Sequence, residues 1–168
     1  MSGPLPPVVE RLLSTDHPDV VIRSVQPGDA RRLAELLAQG TLWGGERPED
    51  PEPYRAAIED IAATPGNDLL VAELGGEIVG MCQLIVMRQL QHRGGRCAEI
   101  ESVHVDAARR RAGIGTALVA AAVTEAVRRG CFRVQLTSHT QRKDAHRWYE
   151  RLGFVPSHTG FKLPLADP

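Results

Sequence analysis

Apolar positions along the 168 residues alternate between runs with the period of a strand and runs with the period of a helix. Val20 to Val25 reads as a first strand. Asp29 then caps a helix whose Leu33, Leu36 and Leu37 share one face before Gly40 stops it. A proline-broken acidic loop from Trp43 to Pro53 precedes a second helix, Tyr54 to Ala63. Leu69 to Glu73 and Ile78 to Met87 are strand-like, and Gly75-Gly76 between them signals an antiparallel hairpin. Gln89 to Arg96 predicts a polar turn, and Cys97 to Val105 the next strand. Leu118, Val119, Ala122, Val123 and Ala126 recur at helical spacing, so a helix from about Ile114 to Arg129 packs on the sheet and ends at Gly130. Phe132, Val134 and Leu136 alternate with polar residues as a half-buried strand. Ala145, Trp148, Tyr149 and Leu152 mark a short helix ended by Gly153, and a last hairpin is expected from Phe154 through Gly160 to Leu165. Hairpins first and strand-helix-strand later describe an α/β (α+β) mixed sheet flanked by helices.

The first nineteen residues hold four of the twelve prolines and little periodicity. They read as a poorly ordered arm with a short helical turn around Val8 to Leu13, ahead of one domain from residue 20 to 168. Hydrophobic residues at 42% and charged residues at 24% are those of a soluble globule. The net charge of -1 gives no bulk attraction to nucleic acid or an anionic membrane, and the arginine cluster 109–111 lacks the broad basic face a nucleic-acid site needs. No apolar run approaches a membrane span and no export signal is visible. Cys82, Cys97 and Cys131 are odd in number and widely spaced, which points to a reducing cytoplasm rather than a disulfide framework or a metal site. His139, His146 and His158 gather late in the chain but lack metal-ligand spacing, so no metal is expected.

The chemistry concentrates between Val103 and Leu118, where an apolar strand meets a basic turn with two spaced glycines and then a helix. Unpaired N–H groups and the positive end of the dipole make a helix start receptive to phosphate. Gly113 and Gly115 let a ligand approach the backbone, and Arg109, Arg110 and Arg111 add attraction for a polyanion. The dinucleotide fingerprint fails because Leu118 stands where its third glycine belongs. The P-loop fails because Gly115-Thr116 lacks the lysine.

The remaining pattern, Arg110-x-x-Gly113-x-Gly115, resembles the acetyl-CoA-binding motif of GNAT-type N-acetyltransferases. Trp148-Tyr149-Glu150-Arg151-Leu152-Gly153-Phe154, at the family's spacing, resembles its late Tyr-Glu-Lys-Leu-Gly-Phe segment. The close resemblance covers roughly Cys97 to Leu165 and implies a mostly antiparallel GNAT-like acyl-CoA N-acyltransferase fold. It also implies acetyl-CoA as cosubstrate, held by the backbone of Val103, His104 and Val105 and by the turn Arg110, Arg111, Ala112, Gly113, Ile114, Gly115 and Thr116. Three departures stand out: Arg111 replaces a frequent glycine, Ala107 a frequent proline, and Arg142 a frequent pantetheine-binding asparagine, which leaves Arg142 and Lys143 either to approach the CoA phosphates or to stand as solvated charge.

Glu99 and Glu101 lie two residues apart on an otherwise apolar strand, on one face unless a bulge intervenes. They either pair with Arg88, Arg93 or Arg96 or, with a raised pKa, one takes a proton from the incoming amine. Spacing alone does not choose between them, and a histidine such as His104 is an alternative base. The resemblance makes Tyr149 the acid that protonates the departing thiolate. The expected activity is acetylation of a primary amine on a small molecule, by direct attack in a ternary complex. A peptide or protein amine, or a sensor module that binds acetyl-CoA without catalysis, are the alternatives. A homodimer is what the resemblance implies about assembly, with the proline-rich arm as one contributor.

Overall fold

A computed structural model describes residues 4–14, 17, 19–42 and 44–165; Trp43 of the acidic loop, with 1–3, 15, 16, 18 and 166–168, lies outside them. Among the described residues one five-stranded sheet runs in the order β1 (Val20–Ser24), β2 (Asn67–Leu74), β3 (Glu77–Arg88), β4 (Arg96–Val105), β5 (Cys131–Leu136). The first three pairings are antiparallel and β4 pairs with β5 in parallel. The parallel pair is joined by the crossover helix α5 (Ile114–Arg128), as a parallel connection requires.

Strand alternation divides the apolar residues between two layers. Leu84, Ala98 and Ile100 face α5 and pack on its Leu118, Val119 and Ala122. Leu69, Val71 and Met81 face the opposite way, onto Leu33 and Leu36 of α2 (Ala30–Gly40) and Ile58 of α3 (Glu52–Ala63). Leu84, Ile100 and Leu118 are fully buried, each contributing about 1.5–3 kcal/mol. The turn expected at Gln89 to Arg96 contains the one-turn α4 (Gln91–Gly94), whose His92 and Arg93 are left-handed.

Three expectations change. The helical turn near Val8 is α1 (Pro7–Leu13), which buries Leu12 in the α5-side core with Val9 and Leu13 against it. An apolar stripe thus docks segment 4–14 instead of leaving it as a loose arm. Asp29 precedes α2 but makes no side-chain cap to it. Its carboxylate accepts from the Gln26 amide at 2.8 Å and pairs with Arg23 at 2.8 Å, serving the turn before the helix. The last hairpin does not form: after α6 (Lys143–Arg151), residues 154–165 hold no strand. Phe161, Leu163 and Leu165 are exposed. Two strands without cover are marginal in water, and Pro156 and Pro164 remove donors a ladder would use.

Candidate active site

The site grows from one irregular strand. β4 pairs with β5 only as far as Ile100 opposite Leu136, so from Glu101 to Val105 the β5-side edge of β4 has no strand partner among the described residues. On its other edge the register with β3 slips between Met81 and Gln83, where Ser102 takes φ 51. The slip falls after Glu101, so Glu99 and Glu101 share a face and touch through their carboxyl groups. Beyond it the alternation is reset: Val103 and Val105 turn into the α5-side core, while His104 faces α2 at Gly40.

Below this opening the chain enters α5 through a strained turn. Arg111 has φ 67 and Gly113, which precedes the helix, φ 81. The glycines have different jobs. A Cβ on Gly113 would lie 2.4 Å from the His17 ring, and one on Gly115 would meet Trp148 at 3.1 Å and Val105 at 3.6 Å. Gly115 therefore brings the helix close to β4 and α6, and Gly113 shapes the cradle. Arg109, Arg110 and Arg111 are exposed around free N–H groups, an arrangement that fits a diphosphate; Arg110 reaches the Val105 carbonyl at 3.4 Å.

Burial first, then the Glu99 charge, raises the pKa of Glu101, while Lys162 on the tail and the Ser102 amide lower it. Glu99 accepts from Gln135 Nε2 at 3.2 Å. Among the described residues neither carboxylate forms a salt bridge: Arg88 donates to the Gly94 carbonyl at 2.6 Å and Arg96 to that of Arg129 at 3.0 Å. Tyr149 packs on the α5 side between Trp148 and Phe154, and burial pushes its phenol up to about 12, with Cys82 and Glu101 adding to the rise and Arg142 opposing it. A carboxylate and a protonated phenol therefore sense each other across the gap where β4 leaves β5. Burial pushes the Cys82 thiol to about 12 as well, so it is no nucleophile.

The family model described as "Acetyltransferase (GNAT) family" matches residues 31–154, a span that contains the opened strand, the turn and Tyr149. The chain belongs to the GNAT acetyltransferase family. As a GNAT protein it is an acetyl-CoA-dependent N-acetyltransferase. It is 34% identical over 115 residues to the aminoalkylphosphonate N-acetyltransferase of Salmonella typhimurium, covering 67% of this chain and 74% of that one. It is 38% identical over 157 residues to human N-alpha-acetyltransferase 30, covering 85% of this chain but 41% of the relative. A crystal structure titled as a transcriptional regulator from Bacillus halodurans C-125 superimposes with a TM-score of 0.82 at 39% identity, covering 87% of this chain and 99% of that one.

Other residues singled out from the sequence are distributed differently around this GNAT site. Arg142 donates to the Gly40 carbonyl at the end of α2, bridging the start of α6 to the carboxylate side of the sheet. Burial, then the charge of Arg142, lowers the pKa of His104, favouring the neutral ring. His146 Nε2 lies 3.0 Å from the His139 carbonyl oxygen and His158 Nδ1 2.8 Å from the Ser157 hydroxyl. Among the described residues no three His, Cys, Asp or Glu converge as a metal site, and no helix is long and apolar enough to cross a membrane.

Sequence reading missed the anchoring of the turn. Asp106 accepts from Arg32 and from the Ala108 amide, and Gln39 accepts from the Ala107 amide at 2.9 Å. The Arg32–Asp106 and Gln39–Ala107 contacts join residues about seventy positions apart and have no local signature. The Ala107 that replaces a frequent proline supplies the N–H that proline lacks.

Proposed function

We propose that the chain acetylates a primary amine of a small molecule by direct attack of the amine on acetyl-CoA in a ternary complex. Glu101 takes a proton from the ammonium group, and Glu99, held by Gln135, keeps Glu101 basic. Tyr149, protonated because burial pushes it to about 12, donates to the sulfur that leaves. The turn 110–116 holds the diphosphate, with the unpaired edge of Val103 to Val105 beside the pantetheine arm. Acetyl-CoA supplies the acetyl thioester. The observation that carries the reading is the half-buried Glu101 at the β4–β5 opening, with no salt-bridge partner among the described residues and within electrostatic reach of Tyr149. Three unpaired, buried cysteines support a cytoplasmic setting.

A peptide α-amine is the second reading, favoured by the 38% identity to N-alpha-acetyltransferase 30. The test is thiol release by the parent, Glu101→Gln and Tyr149→Phe across a panel of small amines and short peptides, beside thermal unfolding with acetyl-CoA. We expect kcat to fall about 10²–10⁴-fold in Glu101→Gln. Stabilisation by ligand at one hundred times its Kd stays at about 2.7 kcal/mol in all three. Parental kcat in both variants would reassign the carboxylate and the phenol to structural roles. Acetyl-CoA binding without turnover by the parent would leave a sensor module.

A further inference from the structure

Between α2, α3 and the carboxylate face of the sheet lies a cavity of about 130 Å³, with Leu33, Leu37, Tyr54, Ile61, Leu69 and Met81 in its wall. Its polar wall residues are Gln83 and Ser102, which are the cross-strand partner and the chain neighbour of Glu101. The Tyr54 hydroxyl donates to Glu46 at 2.7 Å and accepts from the Arg47 amide at 2.9 Å, so its polar end is satisfied outside the cavity while its ring helps to form the wall. An apolar cavity near 150 Å³ holds a benzene ring.

We infer that the acceptor is a cationic primary amine carrying one compact apolar group of benzene or branched-alkyl size, and that a phosphorylated or phosphonated amine is a poor substrate. The inference rests on the reading of Glu101 as the base. Two observations carry it. Among the described residues the cavity wall contains no Lys or Arg, which a phosphonate needs as a partner. The paired carboxylates beside it attract an ammonium group and repel an anion. The cation whose charge Glu101 feels, Lys162, stands on the exposed tail and not in the wall. Arg32 is already paired with Asp106 and Glu35, and Arg142 already donates to the Gly40 carbonyl. The inferred acceptor thus differs from the substrate class after which the Salmonella typhimurium relative is named. The apolar group enters the cavity beside Gln83 and Ser102, leaving its amine at Glu101 and facing the β4–β5 opening.

The experiment uses the purified full chain with acetyl-CoA and three amines: 2-phenylethylamine, ethylamine and 2-aminoethylphosphonate. Thiol release gives kcat/KM, and calorimetric titration with CoA present gives amine binding without turnover. The parent and Ala57→Phe are compared; Ala57 is exposed on α3 at the cavity rim, so a larger side chain there narrows the cavity without entering the core. We expect kcat/KM for 2-phenylethylamine to exceed that for ethylamine by roughly 100-fold, the scale on which a hydrophobic pocket discriminates. It should exceed that for 2-aminoethylphosphonate by at least as much. Ala57→Phe should lose most of the 2-phenylethylamine preference and leave ethylamine turnover within about threefold. Equal or better use of the phosphonate, or equal loss for all amines in Ala57→Phe, overturns the inference while leaving the transferase reading in place. Binding of 2-phenylethylamine that Ala57→Phe weakens, without turnover by the parent, upholds the cavity and rejects Glu101 as base.

Discussion

At the scale of single residues, Glu101 shows chemistry opposed to stability. Burial and the Glu99 charge raise its pKa, which means that ionisation is less favourable in the folded chain than in the unfolded one. The penalty is absent below the unfolded pKa, where both states are protonated, and is complete once the pH rises past the folded pKa. Glu101→Gln should therefore raise the unfolding midpoint at pH 7.5 while lowering kcat. Glu99→Gln acts differently, because removing the Glu99 charge lets the Glu101 pKa fall. The acid limb of the kcat/KM profile should move to lower pH, with activity retained at pH 8. Parallel pH profiles for Glu99→Gln and the parent would show that Glu101 does not titrate in the productive complex. The sequence displayed both carboxylates but could not rank them, since the ranking depends on where the bulge falls and on Gln135 reaching Glu99 from β5.

At the scale of elements, the site is two interruptions of regular structure held close together: the slip in β4 at Ser102 and the left-handed turn before α5. Strand periodicity and the helix stripe were legible because burial of one face writes them into residue order. The interruptions were not, because Ser102 and Arg111 are ordinary residues carrying φ 51 and φ 67. Nothing in a serine or an arginine announces a conformation that glycine normally takes. The resemblance marked the place indirectly, since the position of Arg111 is often glycine among similar proteins. Two substitutions of opposite sense follow. Gly113→Ala places a Cβ at φ 81 and against His17, and should destabilise the chain by about 1 kcal/mol and weaken acetyl-CoA binding. Arg111→Gly relieves the left-handed strain and should stabilise the apo chain by up to about 1 kcal/mol, although it removes a charge from the diphosphate cradle. Denaturant midpoints of the two variants, with and without acetyl-CoA, give both signs. A lower midpoint for apo Arg111→Gly would show that the arginine side chain supports the turn by more than the strain costs.

Across the whole molecule, contacts distant in sequence decide what the pattern left open. α1 joins the core because Leu12 finds the α5-side cluster, while the tail 154–165 forms no strand on the free edge of β5 and leaves Phe161, Leu163 and Leu165 exposed. The same long reach governs response to acid. Glu125 near the end of α5 accepts from Arg128 at 2.6 Å and Arg129 at 2.5 Å, and Arg129 continues to Asp68 on β2 at 2.7 Å, tying the crossover helix to the sheet. The Arg128 hydrogen bond first, then Arg129, lowers the Glu125 pKa from 4.5 to about 2 despite some desolvation. A carboxylate depressed in the folded state adds stability that is complete above its unfolded pKa and disappears as the pH falls through the folded one. The window here runs from about 4.5 down to about 2. Because the Glu125 side chain is 25% exposed, solvent screening reduces its contribution to about 1–2 kcal/mol. Urea unfolding of the parent and Glu125→Gln should differ by that amount at pH 7, and the difference should shrink steadily below pH 4.5 as the parent loses its advantage. A difference that persists unchanged to pH 3 would mean that the two side chains differ in packing or helix propensity, and that the arginine pairs add nothing to the folded state.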